Sequence, residues 1–246
     1  MRYTILLLML VNLQFGFCQE AVMRPLEELI NTEEPGWNLV QAWMKEAKNK
    51  IEILPKDSSK ANQSLFNTQV TTRSPMGAIV YETGGIIVDH GWIRILGSGS
   101  EKLKRSLPAW NKGKSFKEYG ELMSFLLIAD DAIGGLFAVN GGGFGQQDLG
   151  SIYYLAPETL NWEPLGIGYS DFIYWAFTGD IADFYKGLRW ANWKEEVSEM
   201  SADEGINFFP YLWVQYDDLE KLSRKAVPMQ EIWDFHMDMR TQLLNN

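Results

Sequence analysis

The chain is 246 residues long, 46% hydrophobic and 13% aromatic, with ten tryptophans, which is ample apolar side chain for a sizeable core. Its formal charge of −10 repels phosphate backbones and anionic lipid, so nucleic acid is excluded as an expected partner. Acidity of this size also serves simply to keep a protein in solution.

In chain order, residues 1–18 read as an export signal. Arg2 is the positive start, Ile5 to Val11 the apolar stretch, and Gly16 and Cys18 the small residues a signal peptidase needs before its cut. Cleavage is expected between Cys18 and Gln19, giving an exported, periplasmic or secreted, protein. The apolar stretch is far short of the roughly 20 residues of a membrane-spanning helix, so no span is expected. In the alternative, a lipoprotein, Cys18 is acylated and kept, but Phe17 stands where that signal wants a small residue. Cleavage removes the chain's single cysteine, so stability must come from packing and not from disulfides.

Residues 19–246 read as one α+β domain with an N-terminal helical extension. Trp37, Val40, Trp43, Met44 and Ala47 recur at helical spacing, predicting an amphipathic helix from Trp37 to Lys48. Ile51 to Leu54 reads as a strand ended by Pro55, and the polar run from Lys56 to Gln63 as a surface loop. Ala78 to Tyr81, Ile86 to Asp89 and Trp92 to Leu96 are β-prone. The turns at Gly84-Gly85 and His90-Gly91 make them an antiparallel meander. Gly97 to Ser115 is glycine- and serine-bearing and basic, with Trp110 as its large anchor, and reads as an irregular connection or lid.

Leu122 to Ala129, Leu136 to Asn140, Ile152 to Leu155 and Asn161 to Pro164 read as the strands of a central sheet with glycine-rich turns. Beyond Gly168 the period becomes helical. Ser170 or Asp171 can cap a helix carrying Phe172, Trp175 and Ala176, and Gly179-Asp180 interrupts it before Phe184, Tyr185 and Leu188. Trp193 to Met200 is a further helix, Phe208 to Val214 an edge strand demoted by Pro210, and Met229 to Leu244 a final helix. The whole is an α+β fold: a central antiparallel sheet flanked by N-terminal and C-terminal helices.

The motifs carry little chemistry. The cluster Asn140-Gly141-Gly142-Gly143-Phe144-Gly145 lacks the Lys-Ser/Thr of a phosphate loop and has Gln146 where a dinucleotide fingerprint needs glycine, so turn glycines account for it better. Asp130 and Asp131 are adjacent in a strand and face opposite ways, which suits turn capping more than proton sharing. His90 and His236 have no partner at metal-ligand spacing, so neither a metal nor another cofactor is expected. An Asp89-His90 dyad with a hydroxyl from the Ser98 to Ser100 loop is a poor hydrolase, having no nucleophile elbow. Trp162, Trp175, Trp190, Trp193 and Trp213, with Tyr153, Tyr154 and Tyr169, fit a core by their spacing, or else a sugar- or protein-binding surface. Arg189 is placed to stack on a ring or pair with an acidic strand end.

The stretches from Gln69 to Gly99, Gly134 to Gly143 and Tyr153 to Trp190, with Pro210 to Trp213, resemble the bacterial family named as domain of unknown function 2625. That resemblance implies no catalytic residues. More remotely, Phe137 to Gly142, and Trp162 with Ser170-Asp171-Phe172, are similar to the SUKH superfamily, whose members are often immunity proteins that bind toxins. A SUKH-like fold and a protein partner are what this similarity implies. The expected function is therefore a non-enzymatic, protein-binding and immunity-like module. The alternative is an envelope or extracellular enzyme acting on a glycan or similar substrate through Asp130, Asp131 or Glu158. The expected binding residues are Lys102, Lys104, Arg105 and Trp110 in the basic loop, and Asn140, Gly141, Gly142, Gly143 and Phe144 in the glycine turn.

Overall fold

The computed structural model describes residues 23–244, so the expected export signal and its cleavage point lie outside the described residues. The chain opens with a short turn of helix, α1 (Leu26–Leu29), and then α2 (Gly36–Lys45), the amphipathic helix that the tryptophan spacing predicts. Strand β1 (Ile51–Ile53) follows. The next segment corrects the sequence reading: Lys56 to Gln63 is not a loop but the start of α3 (Ser58–Thr68). The Asp57 carboxylate caps it by accepting from the N–H groups of Ser59 and Lys60. Its buried stripe is Ala61, Ser64, Leu65 and Thr68, a helical spacing carried mostly by small and hydroxyl residues that a search for apolar residues passes over.

A second correction falls on Ala78 to Tyr81, which lies in α4 (Pro75–Glu82) and not in a strand. Ser74 caps the helix through the Gly77 N–H and Pro75 occupies its first turn. The start signals and burial against the core override the β-preference of Ile79, Val80 and Tyr81.

The sheet then builds up in strict chain order from β2 (Gly85–Val88), β3 (Ile93–Leu96), β4 (Phe125–Asp131), β5 (Leu136–Asn140), β6 (Ser151–Leu155) and β7 (Trp162–Gly168). With β1 these form a seven-stranded antiparallel meander in the order β1-β2-β3-β4-β5-β6-β7. Between β3 and β4 the expected irregular lid contains α5 (Leu107–Asn111), and Leu103, Leu107 and Trp110 are buried, so much of the segment is packed into the core. Strand β4 begins at Phe125 and not at Leu122, which is fully exposed.

Helix α6 (Tyr169–Thr178) starts without the expected cap: Gly168 holds the capping position and no side chain bonds there. It breaks at Gly179 as expected and resumes as α7 (Ile181–Phe184), capped by Asp180, before α8 (Trp193–Glu199). A hairpin of β8 (Glu204–Phe209) and β9 (Ser223–Pro228) comes next, then α9 (Met229–Leu244) at the bounds expected for the last helix. Strand β8 ends before Pro210, so Pro210 to Val214 are not strand; β9, with the mostly polar sequence SRKAVP, carries no alternation to reveal it. The hairpin is tied to the sheet by the Ile206 N–H, which donates to the Ala132 carbonyl at 2.7 Å.

Helices thus flank an antiparallel sheet, the α+β arrangement expected from the sequence. One face of the sheet meets α6, where Phe137 lies 4.8 Å from Phe172. A continuous hydrophobic cluster runs through the fold from Val40 to Trp233.

Candidate functional site

Strand register decides which side chains meet. Glu52, Ile87, Arg94 and Asp130 are cross-strand partners on β1 to β4 and therefore form one row on one face. Arg94 is 1% exposed and Asp130 is fully buried. The Arg94 Nε donates to Asp130 Oδ1 at 2.6 Å and its Nη2 to the Asp131 carbonyl at 2.8 Å. Arg105 clasps the other Asp130 oxygen through Nη1, reaches Asp203 through Nε at 3.2 Å, and donates from Nη2 to the Ala202 carbonyl at 2.8 Å. Breaking such a buried pair costs about 3–5 kcal/mol because the remaining charge is stranded.

Asp131 faces the other way, as adjacent strand residues must. Its Oδ2 accepts from the hydroxyls of Tyr154 at 2.7 Å and Tyr185 at 3.0 Å. Its Oδ1 accepts from the N–H groups of Ile133 at 3.0 Å and Gly135 at 2.8 Å. The two backbone bonds cap the β4–β5 turn, and the two phenols join β6 and the end of α7 to it. Burial pushes the Asp131 carboxyl above its ordinary range, with these donors acting against the shift. Gly135 has no room for a side chain, since a Cβ would overlap the Asp131 carboxylate and the Tyr154 hydroxyl. Glu158 is raised by burial and by repulsion from Asp131 and Glu163.

The turn between β2 and β3 is left-handed over three residues, with φ of 48° at Asp89, 62° at His90 and 98° at Gly91. Two consecutive non-glycine residues in that region mark a place where local strain is held by its surroundings. Asp89 is fixed by Arg189, whose Nη2 lies 2.6 Å from Oδ2; the same guanidinium lies 4.0 Å from the Trp193 ring centre and 4.5 Å from that of Trp92. Arg189 therefore does both things the sequence suggested, stacking and pairing with an acidic strand end. The weak Asp89-His90-serine arrangement is not assembled. Ser98 and Ser100 are buried beyond the far end of β3, where Ser98 Oγ donates to the Thr83 carbonyl at 2.8 Å and Ser100 Oγ accepts from the Leu103 N–H at 3.1 Å.

Above the Ile87–Arg94 part of the row lies a cavity of about 230 Å³, closed by the end of α8 and the residues up to Ala202, and rimmed by Lys50, Glu52, His90 and Lys102. It is smaller but more enclosed than the depression beside Trp110 described below, and the sequence reading did not find it. The available signal was Arg94, a lone charge in the apolar strand Ile93-Arg94-Ile95-Leu96, matched by the Asp130-Asp131 end of another apolar strand.

The expected binding residues fall in two places. Lys102 pairs with Glu52 at 2.6 Å on the cavity rim. Lys104, Arg105 and Trp110 line a shallow depression of about 450 Å³ shared with Asp203, Pro228 and Gln230. Trp110 lies beneath two cations there, 4.7 Å from Arg105 and 3.8 Å from Lys114. Burial lowers the Lys114 ammonium to about 8. In the glycine turn, Asn140 is buried and staples the loop: its Oδ1 accepts from Gly142 at 2.8 Å and Phe144 at 3.2 Å, and its Nδ2 donates to the Gly145 carbonyl at 2.9 Å. Gly141 and Gly143 are exposed, and their N–H groups donate to the Ser124 carbonyl at 3.0 and 2.7 Å. Phe144 is partly exposed over Trp162 at 4.5 Å, Tyr153 at 4.7 Å and Phe125 at 5.5 Å. Phe125 continues to Trp233 at 6.2 Å, and Lys114 lies 5.8 Å from that ring. A row of rings thus joins the basic loop to the glycine turn. Of the other aromatics, Trp190, Trp193, Tyr153 and Tyr154 are buried, while Trp162, Trp175, Trp213 and Tyr169 are partly exposed.

The family described as "Protein of unknown function DUF2625" matches residues 26–232. The chain belongs to that family. Among its relatives, a "Putative uncharacterized protein YbfG" of Escherichia coli K12 is 44% identical over 218 residues, covering 89% of this chain and 98% of the relative. An "Uncharacterized protein" of Haemophilus influenzae is 46% identical over 190 residues, covering 77% and 83%. No solved structure matches at a significant level. No helix among the described residues is long and apolar enough to cross a membrane, and no group of three or more His, Cys, Asp or Glu among them could hold a metal ion.

Proposed function

We propose that this DUF2625 protein is exported and works by binding a protein partner, with the glycine turn and its aromatic row as the recognition face. The observation that carries the reading is the commitment of Asp130 and Asp131, two of the three acidic residues named for an enzyme. Asp130 sits between two guanidiniums and Asp131 accepts four hydrogen bonds, so both carboxylates act as ties within the fold. A glycan oxygen reaches Asp131 only if the Tyr154–Tyr185 pair opens, and the two aspartates face opposite sides of the sheet, unlike a glycosidase pair. Partly exposed rings under an exposed turn suit protein recognition. An immunity-like role, with a toxin as the partner, rests on the remote SUKH similarity.

Two experiments test this. Intact mass and N-terminal peptide mapping of protein recovered from the native host should give a chain beginning at Gln19; a retained, acylated Cys18 contradicts the export route. Affinity purification from the cell envelope should recover a partner that Phe144→Ala releases. Turnover of an envelope polymer that Asp130→Ala, Asp131→Ala or Glu158→Gln abolishes in folded protein contradicts the binding reading.

A further inference from the structure

We propose that Lys114 is a Schiff-base site, an amine nucleophile that captures small aldehydes or ketones. The turn after α5 fixes its position: the Lys114 N–H donates to the Asn111 carbonyl at 2.9 Å, and Gly113, at a φ of 82°, supplies the left-handed residue before it. The Lys114 Nζ lies 3.8 Å from the Trp110 ring centre and 5.8 Å from that of Trp233, and donates to Gln230 Oε1 at 2.8 Å. Lys56, Lys102, Lys112 and Lys221 each pair with a carboxylate, whereas Lys114 has no ion pair among the described residues. Gln230 holds one carboxylate away from it: the Gln230 Nε2 donates to Asp234 Oδ1 at 2.8 Å, so a neutral amide stands between Asp234 and the lysine.

These surroundings favour the unprotonated amine. Two indole rings and one neutral acceptor replace much of the water an ammonium needs, and the Arg105 guanidinium, 4.7 Å from the same Trp110 ring, adds repulsion. The ring faces and Asp234 attract the ammonium, but burial is the largest influence and lowers it to about 8. A lysine desolvated by apolar neighbours or set beside a second cation is the general arrangement that activates such an amine toward carbonyl compounds. Lys114 is only partly buried, and Trp110 and Gln230 also line the depression of about 450 Å³, so the cluster is open to solvent. In the capture, the amine lone pair attacks the carbonyl carbon and the nitrogen proton passes through water to the carbonyl oxygen. The resulting carbinolamine expels water to leave an imine, with no oxidant or reductant consumed. This chemistry needs no partner protein, so its failure and the failure of the recognition reading are separate results.

Incubation of the full chain with propanal near pH 8, with sodium cyanoborohydride to reduce the imine to a stable secondary amine, tests the proposal when followed by peptide mass mapping. About half of the Lys114 amine is unprotonated there, against about 0.3% of an ordinary lysine, a gain that outweighs the weaker nucleophilicity of a less basic amine. Labelling about tenfold faster than at Lys104, an exposed lysine of the same segment, is expected. The Lys114 rate should rise through a midpoint near 8 as pH is raised. Gln230→Glu, an exposed change at the start of α9, puts a carboxylate on the ammonium; it should move that midpoint upward and slow Lys114 labelling by about tenfold. Labelling of Lys114 no faster than of Lys104, or an advantage that Gln230→Glu leaves intact, overturns the proposal.

Discussion

Replacing Asp131 with alanine strands four buried donors at once: the N–H groups of Ile133 and Gly135 and the hydroxyls of Tyr154 and Tyr185. Each unsatisfied buried donor costs about 1–3 kcal/mol, so even the low end of that range gives a loss of about 4 kcal/mol, a large part of the roughly 5–15 kcal/mol that holds a domain together. Asp131→Asn should cost less, about 1–2 kcal/mol. Its retained oxygen can still accept from both backbone groups, and its new amide can donate to phenol oxygens that rotate to accept. Tyr154→Phe and Tyr185→Phe should each cost about 1.5–3 kcal/mol, the range for hydrogen bonds to a charged group. In a double-mutant cycle each should couple to Asp131→Asn, because the residues share one network. Urea unfolding followed by tryptophan fluorescence and far-UV circular dichroism measures all of these. A loss below about 1 kcal/mol for Asp131→Ala, at an unchanged denaturant slope, would refute the reasoning and return Asp131 to the list of groups free for chemistry.

His236, 5% exposed with Nδ1 unpartnered among the described residues, is held by burial at about 4 against 6.5 in the unfolded chain. The unfolded state binds the extra proton between those values, so stability falls as pH drops from about 6.5 to 4 and levels off below, by about 3 kcal/mol in all. His236→Phe should flatten that limb in denaturant titrations across pH; Asp131, whose raised carboxyl works in the opposite direction, is common to both proteins and cancels in the difference. An unchanged limb contradicts the assignment. Gly135→Ala should destabilise by about 1–3 kcal/mol through overlap with the Asp131 and Tyr154 oxygens, and a neutral result by thermal unfolding means that the turn relaxes. Asp57→Ala should cost about 1 kcal/mol by the same measurement, as expected for the cap of α3.

Much of the fold was legible because its connections are short and its strands pair with their chain neighbours. Turn glycines and apolar runs located β2, β3, β5 and β6 within a residue or two, and the spacing of Ile232, Phe235 and Met239 marked α9. The failures have physical causes. Helix α3 buries alanine, serine and threonine around Leu65 as its one large buried apolar group, and α4 is set by Ser74-Pro75 and its packing against the intrinsic preference of Ile79 and Val80. Strand β9 is polar enough to hide. Site legibility follows the same line. The opposed facing of Asp130 and Asp131 follows from strand geometry; the turn capping expected of both is performed by Asp131, whereas Asp130 is taken up by Arg94 and Arg105. Their partners Arg94, Arg105, Tyr154 and Tyr185 come from β3, the segment before α5, β6 and the end of α7, so only the register and the packing of helices on the sheet could bring them together.

The most direct test of recognition at the glycine turn is site-specific photo-crosslinking in the native host, with the probe placed at exposed Gln146 and, as a control, at exposed Lys186 beyond α7. A discrete protein adduct from position 146, absent from position 186 and lost in the Phe144→Ala background, is the result predicted. An adduct from position 186 alone, or none from position 146 in protein that is folded and present in the envelope, would contradict it.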